Sequence, residues 1–465
     1  MAINVIEIAR VGPATDSDSF RDSADWRTLP LTFFDLGWIR AHPNKRIIFY
    51  RPPNSTRESF DSVILPKLRL SLSVVLRHYL PLAGRILWGP HDPKPSIIMR
   101  ENDAVPLTIA QIDADFCLLS GNGQLPAAEF HHLVPELTVS DDSASVLSLQ
   151  ITLFPSQGFS IGITAHHAVL DGRTTSAFIK SWAHVCRQFQ EHENNGFASL
   201  PDDLTPSFDR TVINGRTDIE AKILKRLSSL VKDEAETRSL KLMPAREIGG
   251  DMVRVTLELT RENIEKLRER VKNESLSASS AHGLHLSTFV VAYAYVWTCM
   301  VKARGGDAHR PVSFMFPADF RHRLDPPLPA TYFGNCVSAA SCHDQTAGAF
   351  MEERGFVTAV KVLSDLVNGL GQQTVEASEE EFTKAMKAVK SGAQFGSVAG
   401  STRLGYYGAD FGWGKPVKTV VVSIDWTGAI SMSERRDESG GVEIGLCLKN
   451  TEMDIFVSLF NNGLT

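Results

Sequence analysis

The chain has 465 residues, 43% of them apolar and 22% charged, with a formal net charge of -6. The apolar share excludes a disordered chain, and the length suggests two or three domains at roughly 150 residues each. A mildly acidic chain gives no electrostatic reason to expect nucleic acid as a partner.

In chain order, residues 1–20 lack a basic stretch followed by an apolar segment, so no secretory signal is expected. Arg46 to Tyr50 reads as a strand, broken by Pro52-Pro53-Asn54. Phe60 to Leu80 has helical spacing in Leu65, Leu68, Leu70, Leu72, Val75, Leu76 and Tyr79. Val146 to Phe154 and Phe159 to Ala165 read as a hairpin joined by Pro155-Ser156-Gln157-Gly158. Thr175 to Phe189 is a predicted helix with Phe178, Ile179, Trp182, Ala183, Val185, Cys186 and Phe189 on its buried face.

Glu191 to Pro206 is polar and suits a linker, and the charged stretch Asp218 to Glu247 reads as a solvated helix. Met252 to Leu257 is a predicted strand and Thr260 to Val271 a helix. Leu286 to Val301 is the most apolar run, slightly short for a membrane span and interrupted by polar groups, so a core helix is expected. Met351 to Leu370 is a further helix. Val312–Phe316, Val417–Ile424, Val442–Leu448 and Asp454–Phe460 are predicted strands. No short repeat appears, but both halves have α/β character. The expectation is two similar-sized α/β domains of mixed sheet flanked by helices: residues 1–190, a linker over 191–216, and residues 217–465.

The six cysteines, Cys117, Cys186, Cys299, Cys336, Cys342 and Cys447, form no C-x-x-C pair. They fit reduced thiols in a cytoplasmic protein, with no metal site. Cys336 has no histidine near it in sequence and reads as a buried, inert thiol.

The sharpest chemical feature follows the hairpin. Phe159, Ile161, Ile163 and Ala165 alternate along the strand, and His167 shares their parity, so its imidazole projects inward from the strand's end. Asp171-Gly172 then turns the chain into the helix. A histidine can take and return a proton near neutral pH. With 14 His in the chain, however, a His-x-x-x-Asp match is expected roughly once by chance, so spacing alone leaves catalysis and a structural role both open. His131-His132 sits in a polar, proline-flanked stretch and reads as surface. There is no G-x-S-x-G elbow, no H-E-x-x-H helix and no phosphate-binding P-loop.

His167-Ala-Val-Leu-Asp171-Gly172 and Asp410-Phe411-Gly412-Trp413-Gly414-Lys415-Pro416 together resemble the plant BAHD family of acyl-CoA-dependent acyltransferases. Leu31 to Asp35, Leu80 to Arg85, Leu286 to Phe289 and Ala318 to Pro327 agree with it, so the resemblance covers nearly the whole chain. Pro329 to Cys336, Thr32 to Asp35, Gly400-Ser401 with Arg403, and Asn450 to Asp454 are similar to the anthocyanin and phenolic-glucoside malonyltransferase branch. Thr402 departs from that branch, where Pro is expected.

The resemblance implies an active-site channel at the interface of two domains, with acyl-CoA entering one end and the acceptor the other. No tightly bound cofactor is implied; acyl-CoA, specifically malonyl-CoA, is a co-substrate. His167 becomes the catalytic base. Asp171, the second residue of the catalytic motif, is expected to pair with an arginine, Arg321 being the candidate, and to shape the loop. Gly172 and the segment Asp410, Gly412, Trp413 and Gly414 are expected to be structural.

Arg173, two positions past Asp171, is a candidate for binding a malonyl carboxylate, or else a surface arginine at a helix start. Ser287 and Thr288 are candidates for CoA binding or for capping the core helix. Phe33 and Phe34 wall the acceptor pocket or pack in the core. The reaction expected is direct acyl transfer to a sugar hydroxyl of a flavonoid, anthocyanin or other phenolic glucoside, by a monomer acting away from membranes. The rivals are a hydroxycinnamoyl-CoA-dependent transferase of the same family and a non-catalytic two-domain binding protein.

Overall fold

A computed structural model describes residues 3–14, 28–191, 199–229, 238–245, 247–276 and 283–464. Part of the linker candidate, residues 192–198, and part of the charged stretch, 230–237 and 246, lie outside them.

The fold is α/β, with two large mixed sheets flanked by helices. The first sheet has six strands in the order Ile3–Val11, Val105–Ile112, Leu147–Phe154, Gly158–Ala165, Asn44–Tyr50 and Lys418–Val421. The second has seven, in the order Val337–Thr346, Pro311–Asp319, Gln394–Ala399, Ile430–Glu434, Val442–Lys449, Met252–Leu259 and Leu125–Pro126. Each sheet therefore takes its last strand from the other half of the sequence. Val420 pairs with Ile47 in the first, and Pro126 with Val253 in the second.

The hairpin that leads to His167 is central in the first sheet. Ala165 pairs with both Leu147 and Asn44, and every residue of Gly158–Ala165 is buried. The alternation in the sequence suggested one buried face, but the second face is covered as well. A Cβ at Gly162 would come within 2.0 Å of the Leu133 carbonyl oxygen, so glycine is what lets that cover approach.

The helix Gly172–Glu191 buries Phe178, Trp182 and Cys186, and the Trp182 indole N–H donates to Leu68 O and Ser71 Oγ of the helix Leu65–His78. In that second helix Leu70 faces outward, 51% exposed, although its spacing placed it on the apolar face. The core helix Thr288–Arg304 is buried all round from Val290 to Val301. Among the described residues no helix is long and apolar enough to cross a membrane.

Three expectations are corrected. Asp454–Phe460 is not a strand but part of the helix Asn450–Asn462, where Met453, Phe456 and Phe460 are buried at helical spacing. A short apolar run does not by itself separate the two periods. Among its described residues the charged stretch forms the helix Thr217–Ser229, and this helix is not solvated all round: Ile219, Ile223 and Leu227 are buried. Of the two histidines expected at the surface, His132 is exposed but His131 is partly buried. Its Nε2 lies 2.8 Å from buried Asp425, and its ring stacks on Trp426.

Candidate active site

His167 sits just beyond the strand Gly158–Ala165. The His166 N–H donates to Val146 O at 2.8 Å, carrying the ladder one residue further before the chain turns. His167 is partly exposed, while Asp171 and the intervening residues are buried. Burial, offset in part by its own backbone and by the charge of Asp171, lowers its pKa to about 4. The ring is therefore neutral at physiological pH and able to accept a proton.

Asp171 caps the helix Gly172–Glu191: its Oδ1 accepts from Thr174 N at 2.8 Å and its carbonyl from Thr175 N at 3.0 Å. Its Oδ2 lies 2.8 Å from Arg321 Nη1 and accepts from Cys336 N at 3.2 Å. Burial alone would raise the carboxyl's pKa, but Arg321 and these N–H donors bring it below its ordinary value. Asp171 is thus a positioning residue, committed to Arg321. Arg321 is fully buried and also reaches Thr174 Oγ1 and Gly334 O. Gly172 adds its carbonyl as acceptor for Tyr406 O–H at 3.1 Å.

A second carboxylate, with no role assigned from the sequence, fastens the same loop. Asp35 is fully buried and accepts from Thr32 N and Oγ1 through Oδ2 and from Asn335 N and Nδ2 through Oδ1. Arg210 lies 3.2 Å away as its counter-ion. Asn335 Nδ2 also donates to the His167 carbonyl at 2.9 Å.

Trp38 was missed altogether. Its indole stacks on the His167 imidazole with centroids 4.0 Å apart and planes 3° apart. The available signal was its spacing of four from Phe34 on one helical turn, which puts both on one side. Phe33, Phe34 and Trp38 line a pocket with Ile219, Ile223 and Phe382, and the Arg226–Glu379 pair, 2.7 Å apart, completes its wall. Phe33 and Phe34 are at the same time buried core residues.

Arg173 is 39% exposed and its Nε lies 3.1 Å from Asp319 Oδ2. Ser287 caps the core helix, its Oγ accepting from Val290 N at 3.3 Å, and Thr288 Oγ1 accepts from Arg268 at 3.1 Å. Burial pushes the Cys336 thiol well above its ordinary pKa. Among the described residues no group of His, Cys, Asp or Glu is placed to hold a metal ion.

The segment Asp410–Pro416 fastens the two halves together. Asp410 Oδ1 accepts from Gly412 N and Gly414 N, at 2.7 and 3.0 Å, in a turn whose glycines have φ of +97° and +101°. Phe411 meets Tyr50 and Trp182 edge-on, and Trp413 meets Phe159. Tyr50 O–H donates to Ala409 O at 2.9 Å. The chain then enters the strand that completes the first sheet.

The model of the transferase family matches residues 2–462, and the chain belongs to that family, the BAHD acyltransferases, whose members use acyl-CoA donors and small acceptors. It is 56% identical to phenolic glucoside malonyltransferase 2 of Arabidopsis thaliana, over all of both chains. It is 50% identical to malonyl-CoA:anthocyanidin 5-O-glucoside-6''-O-malonyltransferase of the same plant, covering 100% of this chain and 98% of that one. Agmatine coumaroyltransferase of Arabidopsis thaliana is 47% identical over 99% of each chain. Among solved structures, vinorine synthase superposes with a TM-score of 0.70 at 19% identity, covering 98% of each chain, which concerns the fold alone.

Proposed function

We propose that the protein transfers a malonyl group from malonyl-CoA to a sugar hydroxyl of a phenolic, flavonoid or anthocyanin glucoside. The observation that carries this reading is the partly exposed, neutral His167 beside a pocket of aromatic side chains with one ion pair in its wall. Rings of a phenolic aglycone match Phe33, Phe34 and Phe382, and sugar hydroxyls match the charged pair. The 56% identity to a phenolic glucoside malonyltransferase supports both donor and acceptor.

His167 takes the proton from the acceptor hydroxyl as its oxygen attacks the thioester carbonyl. The tetrahedral oxyanion collapses, the C–S bond breaks, and the imidazolium returns its proton to the departing CoA thiolate. General-base catalysis is worth about 10²–10⁴-fold, with positioning of the two substrates adding more. Both substrates are bound together and no acyl-enzyme forms. The catalytic site lies between two units, residues 1–190 and 217–465, in a monomer of the cytoplasm.

Arg173 reads the malonyl carboxylate. A guanidinium has five N–H donors, so the Asp319 carboxylate on its Nε leaves others for a second anion. Ser287 and Thr288 border the CoA, in addition to capping the core helix. A second reading, an aromatic donor such as coumaroyl-CoA, is favoured by the 47% identity to a coumaroyltransferase.

The test is a matrix of acyl-CoA donors against phenolic glucosides, read by mass, with wild type and Arg173→Ala. Malonyl transfer that falls in the variant while acetyl and coumaroyl transfer persist supports the reading. Equal losses on all donors remove the role of Arg173, and turnover with coumaroyl-CoA alone removes malonyl-CoA as donor.

A further inference from the structure

Among the described residues no other side chain hydrogen-bonds to the imidazole of His167 to orient it. Its Nδ1 is buried and finds no hydrogen-bond partner among the described residues. Asp171, the nearest carboxylate in sequence, has its oxygens on Arg321, Thr174 N and Cys336 N. A histidine base is ordinarily held by a third group on its second nitrogen. Here Asn335 holds the backbone carbonyl of His167, which fixes the main chain but not the ring.

What meets the ring is the face of Trp38, 4.0 Å away and 3° from parallel. Trp38 is itself held: its backbone N–H donates to Asp35 O at 3.0 Å, and its indole meets Phe382 edge-on at 6.2 Å. Asp35, in turn, is the buried anchor of Asn335. One short helical turn, Phe33–Leu36, therefore leads to the residue stacked on the imidazole and carries the carboxylate that anchors Asn335.

We propose that Trp38 is the positioning residue of the base, orienting the His167 ring by stacking and stabilising the imidazolium formed during transfer through its π face. This rests on His167 acting as the base. An indole face holds a neutral ring by stacking and attracts a desolvated cation more strongly, so the interaction strengthens as the proton moves. The effect therefore belongs in kcat more than in KM.

The experiment compares Trp38→Phe and Trp38→Leu with wild type, using malonyl-CoA and a phenolic glucoside, with His167→Ala alone and combined with Trp38→Leu. The expected result is a kcat about 3- to 30-fold lower in Trp38→Leu, with the KM for malonyl-CoA within about threefold. Trp38→Phe, which keeps a ring face, recovers most of kcat. Trp38→Leu adds nothing further in the His167→Ala background. An unchanged kcat in Trp38→Leu, a Trp38→Phe as slow as Trp38→Leu, or a full additional loss without His167 overturns the proposal.

If Trp38→Leu does not fold, fluorinated tryptophans grade the π face at constant shape. The chain has seven Trp, so the Trp38→Phe variant, fluorinated alike, serves as control. A kcat that falls with fluorine number in wild type and not in the control supports the role; parallel behaviour overturns it. Full transfer activity in His167→Ala removes the base itself, whereas an inactive His167→Ala with indifferent Trp38 variants removes only the inference about Trp38.

Discussion

Asn335 donates its side-chain N–H to the carbonyl of His167 at 2.9 Å, and the next residue, Cys336, donates its backbone N–H to Asp171 at 3.2 Å. Both ends of the His-x-x-x-Asp loop are thus held by two successive residues from the other half of the chain. The loop's conformation depends on how the halves meet, and His167 is placed by contacts some 168 residues away in sequence.

Replacing Asn335 by Ala removes two hydrogen bonds, one to His167 O and one to Asp35 Oδ1. A buried acceptor left unmatched costs about 1–3 kcal/mol. Urea unfolding is expected to show a loss of that size. Because the His167 backbone is then free to shift, kcat is expected to fall about tenfold, since small misplacements of a base are costly. A variant as stable and as active as wild type would mean that the clamp has no role.

The Asp171–Arg321 pair lies in a site where the side chains are 2% and 0% exposed. Breaking a buried pair from one side leaves a charge without compensation, at about 3–5 kcal/mol. Arg321→Ala is therefore expected to destabilise strongly. Asp171→Asn is expected to cost less, because its amide oxygen can still accept from Thr174 N. Chemical denaturation of both single variants and the double variant measures the coupling. Additive losses would show that the two groups do not act as a pair.

Much of this site was legible in the sequence because its signals are local. The alternation from Phe159 to Ala165 is set by one strand, and the Asp171-Gly172 turn by the residues that form it. Resemblance spread along the chain then named Arg321 as partner of Asp171, and the two lie 2.8 Å apart. Trp38, Asp35 and Asn335 were not assigned roles because theirs exist only in the folded chain, where one helical turn, one loop and the strand end converge. The same limit explains Val417–Ile424. Its β-branched run marked a strand, but nothing local says that Lys418–Val421 joins the first sheet beside Ile47. Asp454–Phe460 went wrong for the opposite reason, since a short apolar run fits either period until its partner, the core helix, is known.

Arg226 faces the pocket from the helix Thr217–Ser229 and pairs with Glu379 at 2.7 Å. Burial holds Glu379 above the ordinary carboxylate range, with Arg226 opposing the shift. Without Arg226, Glu379 takes up a proton more readily instead of remaining a lone buried charge. Arg226→Ala is therefore expected to fold, with the KM for a phenolic glucoside raised about tenfold and the KM for malonyl-CoA unchanged. Steady-state kinetics with each substrate varied in turn separates the two. A change confined to malonyl-CoA would place the donor, not the acceptor, in this pocket.

The paired histidines are expected to set the acid side of both stability and activity. Burial lowers the pKa of His166 to about 3, the neighbouring His167 adding to the shift, and that of His167 to about 4. In the unfolded chain both return to about 6.5. Between these values the unfolded state binds more protons than the folded state, so stability is complete above pH 6.5 and is lost as the pH falls toward 4 and then 3. Each unit of depression is worth about 1.4 kcal/mol per group. Thermal melts are expected to show a falling Tm across that window, with a shallower fall in His166→Asn, whose side chain does not titrate. For the same reason kcat/KM for the wild-type enzyme is expected to stay flat from pH 8 down to about 5, with no inflection at the ordinary histidine value. A clear inflection near 6.5 in kcat/KM would mean that the base titrates as an exposed imidazole and that burial does not govern His167.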